Sequence, residues 1–252
     1  MKQAVSLIIE ASWVVPVRPS QTTLKDHAVV ILQNKIVAIC PIIEAHSQYE
    51  AAEIVKLGQH VLMPGLINLH THAAMSLMRG LADDLALTPW LQDHIWPAEE
   101  KLLSPNFVND GTILAAAEML SGGITTFSDM YFYPESIAEA SLKMGLRSNV
   151  GLVVLDFPTQ YANDADTYIK KGLDVRDRFR DEALVSFSFA PHAPYTVSDK
   201  TFQRIATLAN QVHIGVHTHL HETKHELNES VKEHGLRPLS RLANMDLLGP
   251  NV

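Results

Sequence analysis

Two short segments of this 252-residue chain are rich in histidine. The first contains His70 and His72, and the second contains His217, His219 and His221. On an extended strand, residues two apart project to the same side, so His70 and His72 can converge on one metal ion. One histidine of the second segment would then complete a three-histidine site. Imidazole suits zinc, iron and other divalent ions, so the residue types alone do not choose the metal.

Glu222 directly follows the second histidine segment. A catalytic metal ion keeps one position for water and lowers the pKa of that water to about 7. A carboxylate beside it can carry protons as a general acid and base, and Glu222 is placed for this role. The structural alternative is an acid near the start of the following helix, where negative charge is also favourable.

The same segment contains a competing pattern. Residues 221–225 read His-Glu-Thr-Lys-His, which satisfies the His-Glu-x-x-His motif of zinc proteases. That motif requires one helix through both histidines, whereas residues 214–220 alternate β-branched and polar types like a strand. It also leaves His70 and His72 unexplained. The protease is therefore the weaker hypothesis.

From about residue 63, apolar β-rich runs alternate with stretches that suit helices. Strands are predicted at 66–72, 124–130, 150–156, 184–192 and 214–221, and helices at 105–121, 134–144, 164–181, 198–211 and 224–248. Five strand–helix units in series predict an α/β fold with a parallel sheet. Polar residues gather at the carboxyl ends of the strands, as at the active-site mouth of a (β/α)8 barrel. An open doubly wound sheet is the alternative, but neither a Gly-x-Gly-x-x-Gly nor a Walker loop is present.

The first 62 residues follow a different pattern. Short β-rich runs at 6–17, 28–32, 35–39 and 55–62 predict antiparallel hairpins. We therefore assign 1–62 to the N-terminal part of a β-sandwich and 63–252 to the barrel. Eight units of about 30 residues need roughly 240 residues, so we expect an incomplete barrel of about five units, in a chain that is a fragment.

Composition restricts the functional class. A net charge of −8, with no run of Lys or Arg, argues against nucleic-acid and anionic-membrane partners. Cys40 is the single cysteine, which excludes an intrachain disulfide and cysteine-rich zinc modules, including the cytidine-deaminase signature. No apolar run approaches the ~20 residues of a membrane span, and Glu10 interrupts the apolar start, so a cytoplasmic location is expected.

Several motifs, taken in order, resemble the amidohydrolase superfamily. They are Met63-Pro64-Gly65-Leu66-Ile67-Asn68-Leu69-His70-Thr71-His72, Leu77-Met78-Arg79-Gly80, Trp96-Pro97-Ala98-Glu99, Gly122-Gly123-Ile124-Thr125-Thr126, Pro191-His192-Ala193-Pro194-Tyr195 and His217-Thr218-His219-Leu220-His221-Glu222-Thr223. Within the superfamily the chain is most similar to the methylthioadenosine/S-adenosylhomocysteine deaminases of the triazine-hydrolase-like branch. The resemblance implies one divalent metal ion on a TIM-like barrel beside a small β-sandwich, with zinc expected and iron the alternative.

The resemblance also implies roles for individual residues. His70, His72 and His219 match the metal ligands of the family, and Glu222 matches its proton-carrying glutamate. The substrate-binding matches are His192, Glu99 for the ribose hydroxyls, and Arg147 near the amino-acid tail of the substrate, with a surface charge before a strand as the alternative for Arg147. Trp90, Trp96 and Phe132 could form an apolar wall for the base, or belong to an ordinary aromatic core.

The implied activity is that of an aminohydrolase, a hydrolase of C–N bonds other than peptide bonds. It would deaminate adenine nucleosides such as methylthioadenosine and S-adenosylhomocysteine and release ammonia. Family members continue with a further histidine on strand six and an aspartate on strand eight, so a catalytically incomplete fragment is one alternative. A guanine or triazine hydrolase of the same branch is another. Open sheet edges would favour self-association into a homo-oligomer.

Overall fold

The computed structural model describes residues 2–249, and two compact units meet in sequence between Gly65 and Leu66. Among the described residues, no helix combines the length and the hydropathy needed to cross a bilayer.

The first unit is a four-stranded mixed sheet with one short helix. Its elements are β1 (Gln3–Val14), β2 (Leu24–Leu32), β3 (Lys35–Pro41), α1 (Ile42–Gln48) and β4 (Tyr49–Leu62), and the strand order is β3-β2-β1-β4. Strands β1 and β2, and β2 and β3, are antiparallel as predicted. The expectation of hairpins throughout was wrong for β4, which runs parallel to β1. Helix α1 makes the crossover that a parallel pair requires.

The second unit is an α/β structure built on a parallel sheet. Its strands are β5 (Leu66–Thr71), β6 (Ile124–Tyr131), β7 (Arg147–Val154), β8 (Val185–Pro191) and β9 (Gly215–Val216), in the order β5-β6-β7-β8-β9. All neighbouring strands are parallel. The predicted α/β class with a parallel sheet is therefore confirmed.

Helices connect these strands in sequence. They are α2 (Leu87–Pro89), α3 (Trp96–Leu102), α4 (Pro105–Ser121), α5 (Pro134–Met144), α6 (Ala165–Phe179), α7 (Asp199–Val212), α8 (Lys224–His234) and α9 (Pro238–Ala243), with a 3₁₀ helix at Ala73–Met78 and a π-helical turn at Trp90–Ile95. Helix α4 begins where predicted because the Ser104 hydroxyl accepts a hydrogen bond from the Phe107 N–H and Pro105 occupies the first turn. Helix α5 ends at Gly145, whose positive φ suits a glycine.

The core of the second unit lies between the sheet and its helices. Phe127, Val150, Leu152 and Phe189 are fully buried strand residues. Continuous apolar runs of this kind are typical of parallel strands covered on both faces. His70 and Thr71 lie where β5 ends, and that edge of the sheet is where a site can form.

The last part of the chain departs from its prediction in two ways. Strand β9 has only two residues instead of the predicted 214–221, because the chain turns away from the sheet and His221 adopts a positive φ of 59°. The predicted helix 224–248 is two helices. Gly235, with a φ of 68°, ends α8, and Pro238 starts α9.

Close packing in the sheet gives a stability prediction. A Cβ atom added at Gly151 would lie 2.6 Å from the backbone oxygen of Asp129 and 2.9 Å from the Ala190 Cβ. We expect Gly151→Ala to lower the free energy of unfolding by about 1–3 kcal/mol, measured by denaturant titration. The control is Gly122→Ala, whose Cβ would meet nothing closer than 3.4 Å and whose φ is −85°. Equal effects of the two variants would contradict the prediction.

Candidate metal centre and substrate cavity

Three histidines meet at the carboxyl ends of the two outer strands of the parallel sheet. His70 and His72 lie at the end of β5, and His219 follows β9. One ring nitrogen of each lies within 4.8 Å of those of the other two. Strands β5 and β9 are separated by three others, so their ends approach only because the sheet curls. The curl brings together residues that are almost 150 positions apart.

The second ring nitrogen of each histidine is already engaged. Nδ1 of His72 donates to the backbone oxygen of Met130 at 2.6 Å, and Nδ1 of His219 donates to that of His192 at 2.9 Å. Nδ1 of His70 lies 3.0 Å from Nε2 of His217. These contacts use the Nδ1 atoms and leave Nε2 available, and a metal-binding histidine is commonly oriented in this way through its other nitrogen. The three side chains therefore fit a metal ion.

The protonation state of the histidines also fits. Burial lowers the pKa of His72 to about 4, and it lowers the pKa of His70 and of His219 as well. All three imidazoles are therefore neutral at neutral pH, which is the form that binds a metal. An all-nitrogen donor set suits zinc or iron.

The structure distinguishes among the three histidines of the second segment. His219 points at the pair on β5, with its Nε2 atom 3.2 Å from Nε2 of His70. His217 contacts His70 and the Ser128 hydroxyl, so it supports the His70 ring from behind the cluster. His221 faces elsewhere, because its Nε2 accepts a hydrogen bond from the Leu239 N–H at 3.2 Å.

The zinc-protease geometry does not form in the described part of the chain. Helix α8 begins at Lys224, after His221, and His221 has a left-handed backbone. His221 and His225 therefore do not lie one helical turn apart. The His-Glu-x-x-His sequence at 221–225 therefore lacks the helical context that the protease motif requires.

Glu222 faces a cavity of about 430 Å³ that His72, His192 and His219 also line. Its carboxylate accepts a hydrogen bond from the Tyr195 hydroxyl at 3.1 Å. The N-cap of α8 is Thr223, whose hydroxyl accepts from the Glu226 N–H. The capping role considered for Glu222 therefore falls to its neighbour.

Glu226 holds the segment that carries Glu222. It is buried, and its two carboxylate oxygens accept the N–H groups of His221 at 3.0 Å and of Glu222 at 2.6 Å. Our sequence analysis missed this residue. The Thr223-x-x-Glu226 spacing is that of a capping box and was the available signal.

His192 lies beside the histidine cluster and lines the same cavity. Its ring centroid is 4.9 Å from that of His219, and its Nδ1 is 2.8 Å from the Thr196 hydroxyl. Burial lowers the pKa of His192 to about 3, so the ring is neutral. The residue thus contributes twice, through its ring in the cavity wall and through the backbone oxygen that holds His219.

Glu99 reaches the same cavity from α3. One of its oxygens accepts a hydrogen bond from the Tyr131 hydroxyl at 2.6 Å. Burial raises the pKa of Glu99, and it also raises that of Tyr131. Trp90, Trp96 and Phe132 line the cavity as well, so they form an apolar wall and not only a core.

The structure does not bring Arg147 to this cavity. It is the first residue of β7, at the amino end of the sheet, whereas the histidines lie at the carboxyl ends. Its exposed side chain donates to the backbone oxygen of Ala183 at 3.0 Å. This position matches the alternative reading, a surface charge at the start of a strand.

Comparisons with known proteins agree with this geometry. Residues 61–252 match the model of the amidohydrolase family. The 5-methylthioadenosine/S-adenosylhomocysteine deaminase of Saccharophagus degradans is 49% identical over 249 residues, which are 99% of this chain and 56% of that protein. The chain spans little more than half the length of the curated relatives it matches.

Solved structures give the same result. An adenosine deaminase from Xanthomonas campestris with bound zinc superposes with a TM-score of 0.97 at 45% identity, over 100% of this chain and 57% of that one. A zinc complex of atrazine chlorohydrolase from Arthrobacter aurescens TC1 shares the fold, with a TM-score of 0.88 at 19% identity over 98% and 59% of the two chains. The family match, the close relatives and the histidine cluster agree, and the chain belongs to the amidohydrolase family.

Proposed function

We propose that this protein is a metal-dependent hydrolytic deaminase of adenine nucleosides, acting on methylthioadenosine or S-adenosylhomocysteine and releasing ammonia. The observation that carries the proposal is the cluster of three neutral imidazoles, His70, His72 and His219, two of which (His72 and His219) line the same cavity as Glu222. The deaminase from Saccharophagus degradans, at 49% identity, supports the substrate class.

His70, His72 and His219 would hold the metal ion through their Nε2 atoms. A divalent ion bound there would polarise water and lower its pKa towards neutrality, so that water could attack C6 of the adenine ring. Zinc is the proposed ion because imidazole donors suit it and because the Xanthomonas campestris structure contains zinc. Iron remains compatible with the same donors.

Glu222 moves the proton. Its carboxylate would take a proton from the attacking water and pass it to a ring nitrogen of the adenine. It would then carry the remaining proton of the new C6 hydroxyl to the amino group, so that the C6–N bond breaks, a C6 carbonyl forms and ammonia leaves. The Tyr195 hydroxyl donates to one oxygen and holds the carboxylate towards the cavity. Glu226 fixes the backbone beneath it.

The remainder of the cavity suits a nucleoside. Its volume of about 430 Å³ lies in the usual range of small-molecule sites. Trp90, Trp96 and Phe132 offer apolar surface to the base and the thioether. His192 contacts the base, and Glu99 accepts hydrogen bonds from the ribose hydroxyls with the oxygen that Tyr131 leaves free.

The fold supports a more specific architecture. The five parallel strands follow one another in sequence order, which is the order of adjacent strands in a (β/α)8 barrel. We assign them to the first five units of such a barrel. The four-stranded first unit is assigned to a β-sandwich.

Glu99 gives a prediction about binding. Glu99→Gln is expected to raise the KM for methylthioadenosine about tenfold, because hydrogen bonds to a charged carboxylate contribute about 1.5–3 kcal/mol. The kcat should change little, since Glu99 does not exchange protons with the reacting atoms. Steady-state kinetics checks this. A fall in kcat at unchanged KM would show that Glu99 does not bind the ribose.

A substrate panel tests the proposed activity. Ammonia release by the zinc-loaded protein is measured with methylthioadenosine, S-adenosylhomocysteine, guanine and an aminotriazine. The proposal expects the two adenine nucleosides to have the highest kcat/KM. A preference for guanine or the triazine would assign the protein to another hydrolase of the branch, and no release from any compound would contradict deamination.

A further inference from the structure

The turn that follows His72 is held by a buried acid on the neighbouring strand. Asp129, near the end of β6, is fully buried, and its Oδ1 atom accepts a hydrogen bond from the Ala73 N–H at 2.7 Å. Ala73 begins the 3₁₀ helix and directly follows His72. The carboxylate therefore fixes the backbone immediately after a proposed metal ligand.

The next residue of the same strand holds the ligand itself. The backbone oxygen of Met130 accepts the hydrogen bond from Nδ1 of His72 at 2.6 Å. Thr71 pairs with Asp129 in the sheet register. Asp129 and Met130 are consecutive residues of β6, and they bind Ala73 and His72, which are consecutive residues of the turn after β5. Together these two hydrogen bonds determine where Nε2 of His72 points.

A close backbone contact secures the turn from the other side. A Cβ atom added at Gly111 of α4 would lie only 2.4 Å from the backbone oxygen of Ala74. Ala73 and Ala74 are fully buried. The turn is therefore clamped between β6 and α4, with little room to shift.

Burial of the Asp129 side chain at this place is energetically unfavourable. Its Oδ2 atom is buried without a hydrogen-bond partner among the described residues. Burying an acidic side chain with one unsatisfied oxygen is unfavourable, so its one hydrogen bond must matter to this part of the structure. That hydrogen bond goes to the residue directly after His72, which points to a role in positioning His72.

We propose that Asp129 is a positioning residue for the metal centre, which orients His72 by accepting the Ala73 N–H. The inference rests on the proposed metal site but not on the identity of the substrate. It predicts that the hydrogen bond, and not the charge, is what the centre needs.

Zinc affinity tests the inference without any assay of turnover. Competition with a chromogenic chelator gives the dissociation constant of zinc for each variant. Asp129→Ala is expected to weaken zinc binding about tenfold, at the lower end of the effects typical for residues that support metal ligands. Asp129→Asn keeps an oxygen that can accept from Ala73, so its zinc affinity should stay within about threefold of the wild-type value.

A second pair of variants tests the same turn from α4 and provides a control for effects of stability alone. Gly111→Ala pushes on the same turn from α4, so it should also weaken zinc binding. Thr112→Val alters the adjacent buried residue, whose hydroxyl has no partner in the described structure, and should leave zinc affinity unchanged. Melting temperatures of the metal-free variants show whether a loss of affinity exceeds the general loss of stability.

The outcomes separate this inference from the proposed metal site. Wild-type protein that binds no zinc would overturn the metal centre and the inference with it. Wild-type affinity in Asp129→Ala would overturn the inference alone. So would equal losses in Asp129→Asn and Asp129→Ala, because the hydrogen bond to Ala73 would then not be what matters.

Discussion

Glu222→Gln is expected to lower the turnover of methylthioadenosine by about 10²- to 10⁴-fold, the usual contribution of a general acid–base group. Glutamine can still accept the hydrogen bond from Tyr195, but it cannot take a proton from water. The substituted side chain is not one of the imidazole donors, so the variant should still bind zinc. The kcat and the zinc content are measured on the same preparation.

The matched control for this change is Glu229→Gln. Glu229 lies on α8, and its carboxylate contacts Lys232 outside the 430 Å³ cavity. The control removes the same charge close in sequence and should leave kcat unchanged. Wild-type turnover in Glu222→Gln would show that another group carries the proton.

His219→Ala should release the metal ion. His219 is the one proposed ligand that the second histidine segment supplies, and the other two proposed ligands come from the β5 end. Removing it leaves two donors, so zinc affinity is expected to fall by more than the about 10- to 100-fold seen when a supporting residue is lost. Zinc content after dialysis and chelator competition measure the effect.

His225→Ala distinguishes this centre from a zinc protease. His225 lies on α8 and is not one of the clustered histidines. The variant should keep the wild-type zinc affinity, whereas a His-Glu-x-x-His site would lose its metal. Retention of zinc in His219→Ala together with its loss in His225→Ala would reverse our assignment of the ligands.

Much of the second unit could be predicted because its local signals agree. Helices 105–121 and 134–144 have the predicted bounds, since Ser104 with Pro105 starts one and Gly145 ends the other. The bounds of the strands differ from prediction where pairing with neighbouring strands determines them. β7 begins at Arg147 because polar residues there still pair with both neighbouring strands.

The site could be predicted only in part. The spacing of His217, His219 and His221 is the same, so it does not show which of them faces the pair on β5. The backbone oxygen of His192, which orients His219, and the turn at His221 determine this. No local pattern carries that information. For Arg147, the strand predicted at 150–156 already placed the residue at the amino end, and only the family resemblance suggested a contact with substrate.

Buried acids are the residues that sequence reasoning finds least easily. Asp129 and Glu226 act on backbone N–H groups, and the partner of Asp129 lies 56 positions away. No local pattern links Asp129 to Ala73, and for Glu226 the only local signal is its capping-box spacing from Thr223. Their importance follows from burial and from the specific N–H groups they satisfy.

The zinc dependence of methylthioadenosine deamination tests the central claim most directly. Metal-free protein is titrated with zinc, and ammonia release is followed at each addition. We expect no release without zinc, a rise in proportion to added zinc, and a plateau at one equivalent per chain. Deamination that persists in the metal-free protein, or one bound zinc without deamination of any adenine nucleoside, would contradict the account.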